Sequence, residues 1–298
     1  MPWDLDGALL SLTQLKKSKP YLPEGVEIKV QTVLNLSSYI INWEKSLIPK
    51  EYFTSKYNNL SSILTGYEHI SKIYDGDELY GHLNFQTEII SPEVEYYLPI
   101  CPDICFSEYA LSYLIQSALN IPNKYFVITP QTHKLWDPTW DEITNPEYMS
   151  VPYPEWDKVD VFDIYYNNNI SEQPISLKPI TKSKFAGWFD LYNKAFYEEL
   201  CPPHEDWEGY GPWDWYSMIL SEYSQSQGID FQQYLLEGET ILEYSVGPLK
   251  NKKGSKLVSH YKDLLVLNDI PNQRQQFESS MQQYLNKGVQ MLKDKKIL

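Results

Sequence analysis

A chain of 298 residues, 42% hydrophobic and 22% charged, has the makeup of a globular protein with a sizeable core, which excludes wholesale disorder. Its net charge of −15 argues against nucleic acid or an anionic membrane surface as partner, since both attract basic patches through their phosphates. No run of about 18 apolar residues and no basic-then-apolar N-terminus occurs, so neither a membrane span nor a secretory signal is expected.

Residues 1–25 read as a leader, because they close on the breaker-rich stretches Lys16-Lys17-Ser18-Lys19-Pro20 and Pro23-Glu24-Gly25. The fold is expected over 26–270, with a C-terminal helix in 271–298 packed upon it. From Val26 to Leu34 apolar and polar residues alternate and then turn apolar, which predicts a strand closed by Asn35. A helix is predicted over Ser37–Leu47 and a short strand over Ile70–Tyr74, ahead of the turn Asp75-Gly76-Asp77. Tyr96-Tyr97-Leu98-Pro99-Ile100 is a hydrophobic strand leading to Asp103, and Ser107 is placed to cap a helix carrying Leu111, Leu114, Ile115, Ala118 and Leu119.

Tyr125–Thr129 predicts a further strand, ended by Pro130. His133 to Pro154 reads as a loop dense in Trp, Asp and Pro, and Tyr166-Asn167-Asn168-Asn169 as an exposed turn. Phe185–Tyr192 predicts a strand, Trp213–Tyr223 a helix stopped at Gly228, and Asn272–Lys293 a polar helix. Strands alternating with helices predict an α/β fold whose central sheet is mostly parallel and flanked by helices. Ligands of such sheets sit at the carboxyl ends of strands, where Asn35, Asp75 and Asp103 are predicted.

The aromatic share of 15%, with 25 Tyr and 9 Trp, exceeds what a core needs, and much of it lies in polar, Pro-rich stretches. Such rings stack on the C–H faces of pyranoses; half-buried loop aromatics are the alternative. Cys101, Cys105 and Cys201 lack C-x-x-C spacing and are odd in number, so neither a zinc knuckle nor a disulfide framework is indicated. A reducing compartment fits, namely cytoplasm, or host cytoplasm were the source viral.

The order of Val33-Leu34-Asn35, Gly81-His82-Leu83-Asn84, Cys101-Pro102-Asp103-Ile104, Phe185-Ala186-Gly187-Trp188 and Trp207-Glu208-Gly209-Tyr210-Gly211-Pro212-Trp213-Asp214 resembles that of glycosyltransferase family two, over roughly residues 26–240. Cys101 stands where that family has the first Asp of its Asp-x-Asp turn, and Trp213 where it has Glu.

The resemblance implies a single GT-A-like domain and an inverting enzyme that moves a sugar from a nucleoside diphosphate to a hydroxyl of a carbohydrate-type acceptor. It implies donor contacts from Asn35, Asp75, Asp77, Asn84, Asp103 and Lys262. A divalent cation, manganese or magnesium, would neutralise the departing phosphates, with Asp103 and His260 as ligands. Asp214, at a helix start where the dipole favours its ionised form, is the expected general base, with Glu208 behind it. Trp136, Trp140, Trp207, Tyr210 and Trp213 would wall the acceptor. Each of these residues has an ordinary structural alternative: Asn and Asp form turns, Asp caps helices, and a lone His is commonly structural. Two further readings stay open, a non-catalytic carbohydrate-binding protein on the same fold and a glycoside hydrolase with paired carboxylates.

Overall fold

The computed structural model describes residues 5–36, 50–75, 93–100, 104–134, 174–180, 189–200, 224, 226–243, 286, 289–290 and 292–296. In chain order these form α1 (Leu5–Ser18), a 3-10 turn (Lys19–Tyr21), β1 (Lys29–Leu36), α2 (Lys50–Leu64), β2 (Glu68–Asp75), β3 (Tyr96–Tyr97), β4 (Ile104–Cys105) and α3 (Ala110–Ala118). There follow β5 (Tyr125–Lys134), β6 (Ser176–Ile180), β7 (Leu191–Asn193), a π-helical turn (Phe196–Leu200) and β8 (Phe231–Glu243). The architecture is α/β. None of the described helices is long and apolar enough to cross a membrane.

β1 and β2 pair in parallel from Lys29 opposite Glu68 to Leu36 opposite Asp75, with α2 in the connection that a parallel pair requires. The larger sheet runs β3-β7-β5-β8-β4, with β6 also on β8. Its β5–β8 pair is parallel, whereas β3–β7, β5–β7, β4–β8 and β6–β8 are antiparallel. The sheet is therefore mixed, which corrects the mostly parallel arrangement predicted. Alternation of helices and strands says nothing of which partner a strand takes; β6 runs against β8, and β7 against both β3 and β5.

β5 lies at the centre, and its residues from Tyr125 to Pro130 are all buried. That explains its continuous apolar run, because a strand covered on both faces has no solvent side to mark with polar residues. On one face Phe126 and Ile128 pack with Leu15 of α1, with Leu111 and Leu114 of α3, and with Phe106 and Phe189. On the other, Tyr125 and Val127 pack with Tyr192, Phe196, Leu200, Phe231 and Leu292. Side chains such as Phe106 and Leu114, both fully buried, each gain about 1.5–3 kcal/mol from leaving water.

Several segments differ from expectation. Residues 5–18, expected as a leader, form a helix in the core: Leu15 is buried, and the Ser11 hydroxyl donates to the Ile104 carbonyl at 2.7 Å. The breakers at Ser18-Lys19-Pro20 end a helix rather than precede a domain. β3 spans only Tyr96–Tyr97, and the next strand begins at Ile104, just past Asp103. β5 continues through Pro130 to Lys134; the proline marks a register shift between Pro130 and Gln131 instead of an end. Of the strand predicted over Phe185–Tyr192, only its last residues belong to β7, and Phe185–Trp188 lie outside the described residues.

α2, β6 and β8 carry no clear sequence signal. The predicted helix over 37–47 lies outside the described residues. Gly228 does stop a helix as predicted: its φ is +70°, and the Ile229 amide donates to the Ser224 carbonyl at 3.1 Å, the six-to-one bond of a Schellman cap. Near the C-terminus Asn286, Val289, Gln290 and Leu292–Asp294 are helical, and the Lys295 ammonium donates to the Glu199 carbonyl at 2.6 Å.

Candidate functional site

The parallel register of β1 and β2 brings two expected donor residues to one sheet edge. Asn35 lies opposite Tyr74, and Asp75 opposite Leu36, so Asn35 and Asp75 occupy adjoining carboxyl ends one register step apart. Both positions lie at the carboxyl end of this two-stranded sheet, and a single register step places them on alternate faces of it. Asp77, Asn84, Asp103, Lys262, His260, Asp214, Glu208, Trp136, Trp140, Trp207, Tyr210 and Trp213 lie outside the described residues.

A polar arrangement that sequence reasoning missed sits in the β5–β8 pair. Pro130 faces Leu236 and Gln131 faces Thr240, so Glu237, Gly238 and Glu239 are extra residues bulged out of β8. Gly238 takes φ +88°, a left-handed conformation costly for any other residue type, and its amide donates to Gln131 Oε1 at 3.3 Å. The bulge turns Glu239 inward, where it is only 5% exposed. Burial pushes its carboxyl up to about 7, against the opposing effect of the Ser107 hydroxyl that donates to Oε2 at 3.0 Å. Tyr113 is raised in turn, first by its own burial and then by the charges of Glu239 and Tyr109. A carboxyl that titrates near neutrality exchanges a proton readily. In sequence, Glu237-Gly238-Glu239 stands between the short apolar stretches Tyr234-Leu235-Leu236 and Ile241-Leu242.

At the amino end of β5 a second polar group serves the packing. The Lys124 ammonium donates to Glu199 Oε2 at 2.7 Å and to the Tyr125 hydroxyl at 2.6 Å, and that hydroxyl donates to Glu199 at 2.7 Å. These bonds hold Lys124 above its ordinary range and Glu199 below it. They pin the π-helical turn, and with it the C-terminal segment through Lys295, to the sheet.

Among the described residues no group of three or more His, Cys, Asp or Glu is placed to hold a metal ion. Cys105 is a buried free thiol, raised to about 12 chiefly by that burial. A scan of protein-family models returns no match to the chain, and a search of curated proteins returns none either.

Proposed function

We propose that the chain is a nucleotide-sugar glycosyltransferase of GT-A type, transferring a sugar with inversion to a hydroxyl of a carbohydrate-type acceptor. The observation that supports this reading is the place of Asn35 and Asp75 at the carboxyl end of the parallel β1–β2 pair. Open α/β sheets bind their ligands outside such ends. In this proposal Asp77, Asn84 and Lys262 complete the donor site, and Asp103 and His260 hold a divalent cation. That cation, when bound, offsets the charge of the departing diphosphate.

Asp214 accepts the proton of the acceptor hydroxyl as that oxygen bonds to the anomeric carbon, and Glu208 stands behind it. Trp136, Trp140, Trp207, Tyr210 and Trp213 present rings to the acceptor's C–H faces.

A thermal-shift screen of nucleotide sugars, with and without manganese, tests the reading. A ligand specific to the folded chain stabilises it by about 2.7 kcal/mol at a hundred times its Kd. At least one donor is expected to raise the melting temperature, more so with manganese; no shift with any donor would sink the proposal. Turnover of the stabilising donor then separates a transferase from a non-catalytic carbohydrate binder.

A further inference from the structure

The start of α3 carries an aromatic group that the transferase reading leaves unused. Tyr21 and Tyr109 are 41% and 37% exposed, unusual for rings that gain from burial. Their centroids are 4.5 Å apart with a 56° tilt, and Tyr113 extends the row at 6.1 Å from Tyr109 in a stacked orientation. Glu108 precedes Tyr109 in sequence, and its charge, after the larger effect of Tyr21, helps to raise the Tyr109 hydroxyl, so a carboxylate lies near the ring pair.

These groups are held in place by the protein. The Tyr109 amide donates to Ser107 Oγ at 3.2 Å, and that hydroxyl donates in turn to the buried Glu239. Tyr21 is carried by the 3-10 turn after α1, a helix anchored to β4 through Ser11 and Ile104. Rings fixed in advance spare a ligand much of the ordering cost of binding.

Exposed tyrosine rings beside a carboxylate fit a saccharide. Ring faces take the C–H side of a pyranose, and the carboxylate accepts its hydroxyls in charge-assisted bonds. A phosphate is disfavoured by the Glu108 carboxylate and by the net charge of −15.

We propose that Tyr21, Tyr109 and Tyr113, with Glu108 near them, form a binding subsite for an uncharged hexopyranose unit, separate from the donor residues Asn35 and Asp75. It rests on the carbohydrate reading above and gives the acceptor a place to dock. The test uses free saccharide, so that it can fail while donor recognition stands.

Full-length chain is titrated with uncharged disaccharides of glucose, galactose, mannose and N-acetylglucosamine, followed by saturation-transfer NMR and calorimetry. At least one is expected to bind. Tyr109→Ala should weaken it by about tenfold, whereas Tyr109→Phe, which keeps the ring, should stay within about threefold. Glu108→Gln should weaken it by about threefold to tenfold. Thermal shifts with nucleotide sugars should be unchanged in all three variants. Absence of binding by the wild-type chain overturns the subsite, as does equal binding by Tyr109→Ala. Should Tyr109→Ala fail to fold, Tyr21→Ala decides by the same two results. Saccharide binding that depends on Tyr109, in a chain that no donor stabilises, supports the subsite and refutes the transferase reading alone.

Discussion

The Ser107 hydroxyl donates to Oε2 of Glu239 across 3.0 Å, joining the approach to α3 with the bulge of β8 although 132 residues separate the two in sequence. The bond stands between a residue expected to cap a helix and a residue given no role by the sequence. In the structure α3 has Tyr109 as its N-cap, and Ser107 is one link in a tertiary connection.

Glu239 makes stability depend on pH. Burial lifts its carboxyl from the ordinary 4.5 to about 7, so the folded chain binds the proton more tightly than the unfolded one. Its contribution is complete below the unfolded value and is lost as pH rises through the folded one, a loss of up to about 3 kcal/mol. Glu239→Gln keeps an oxygen for the Ser107 hydroxyl and carries no charge. It should be more stable than wild type near pH 8 and show no such gain near pH 5, by urea denaturation at both pH values. A stability difference that does not change with pH would refute the burial argument.

The N-terminal helix should be indispensable to stability. Leu15 lies in the main core cluster and is only 5% exposed, so Leu15→Ala should cost about 2–5 kcal/mol. Removing residues 1–18 should abolish the cooperative unfolding transition seen by circular dichroism. A truncated chain that melts like the full one would return this segment to the status of a leader.

Gly238 should resist substitution. At φ +88° a Cβ strains the backbone, and Gly238→Ala should destabilise the chain by about 1–2 kcal/mol. The bulge that turns Glu239 inward depends on the same residue, so this variant should also flatten the pH dependence above. Denaturation midpoints at two pH values measure both effects together.

For the proposed chemistry, Asp214→Asn should lower kcat by about 10²- to 10⁴-fold, the usual reach of a general base, while leaving the donor's thermal shift intact. Loss of the donor shift in that variant would move Asp214 from the base role to donor binding.

The legible parts of the fold were those whose burial is uniform or simply periodic. β1, β2 and the first half of β5 are visible because their apolar residues alternate or run together. β8 was hidden, since its buried positions include Gln233 and Glu239. Gln233 donates to Thr129 Oγ1 at 3.1 Å from 104 residues away, and Glu239 accepts from the Ser107 hydroxyl; no local pattern announces partners so distant. α1 had helical spacing in Leu12 and Leu15, but only contact with the sheet makes that stripe part of the core.

By itself, the sequence determined the α/β class, the strands through Asn35 and near Asp75, the helix stop at Gly228, and an acidic, aromatic-rich composition. Those properties follow from local sterics, from periodicity and from summed charge, all of which are read along the chain. Tertiary structure alone decided the mixed direction of the sheet, the place of α1 in the core, the bulge in β8, and the meeting of Ser107 with Glu239. Each depends on which distant group fills a space or satisfies a buried polar atom, and that choice is made by the packed chain as a whole.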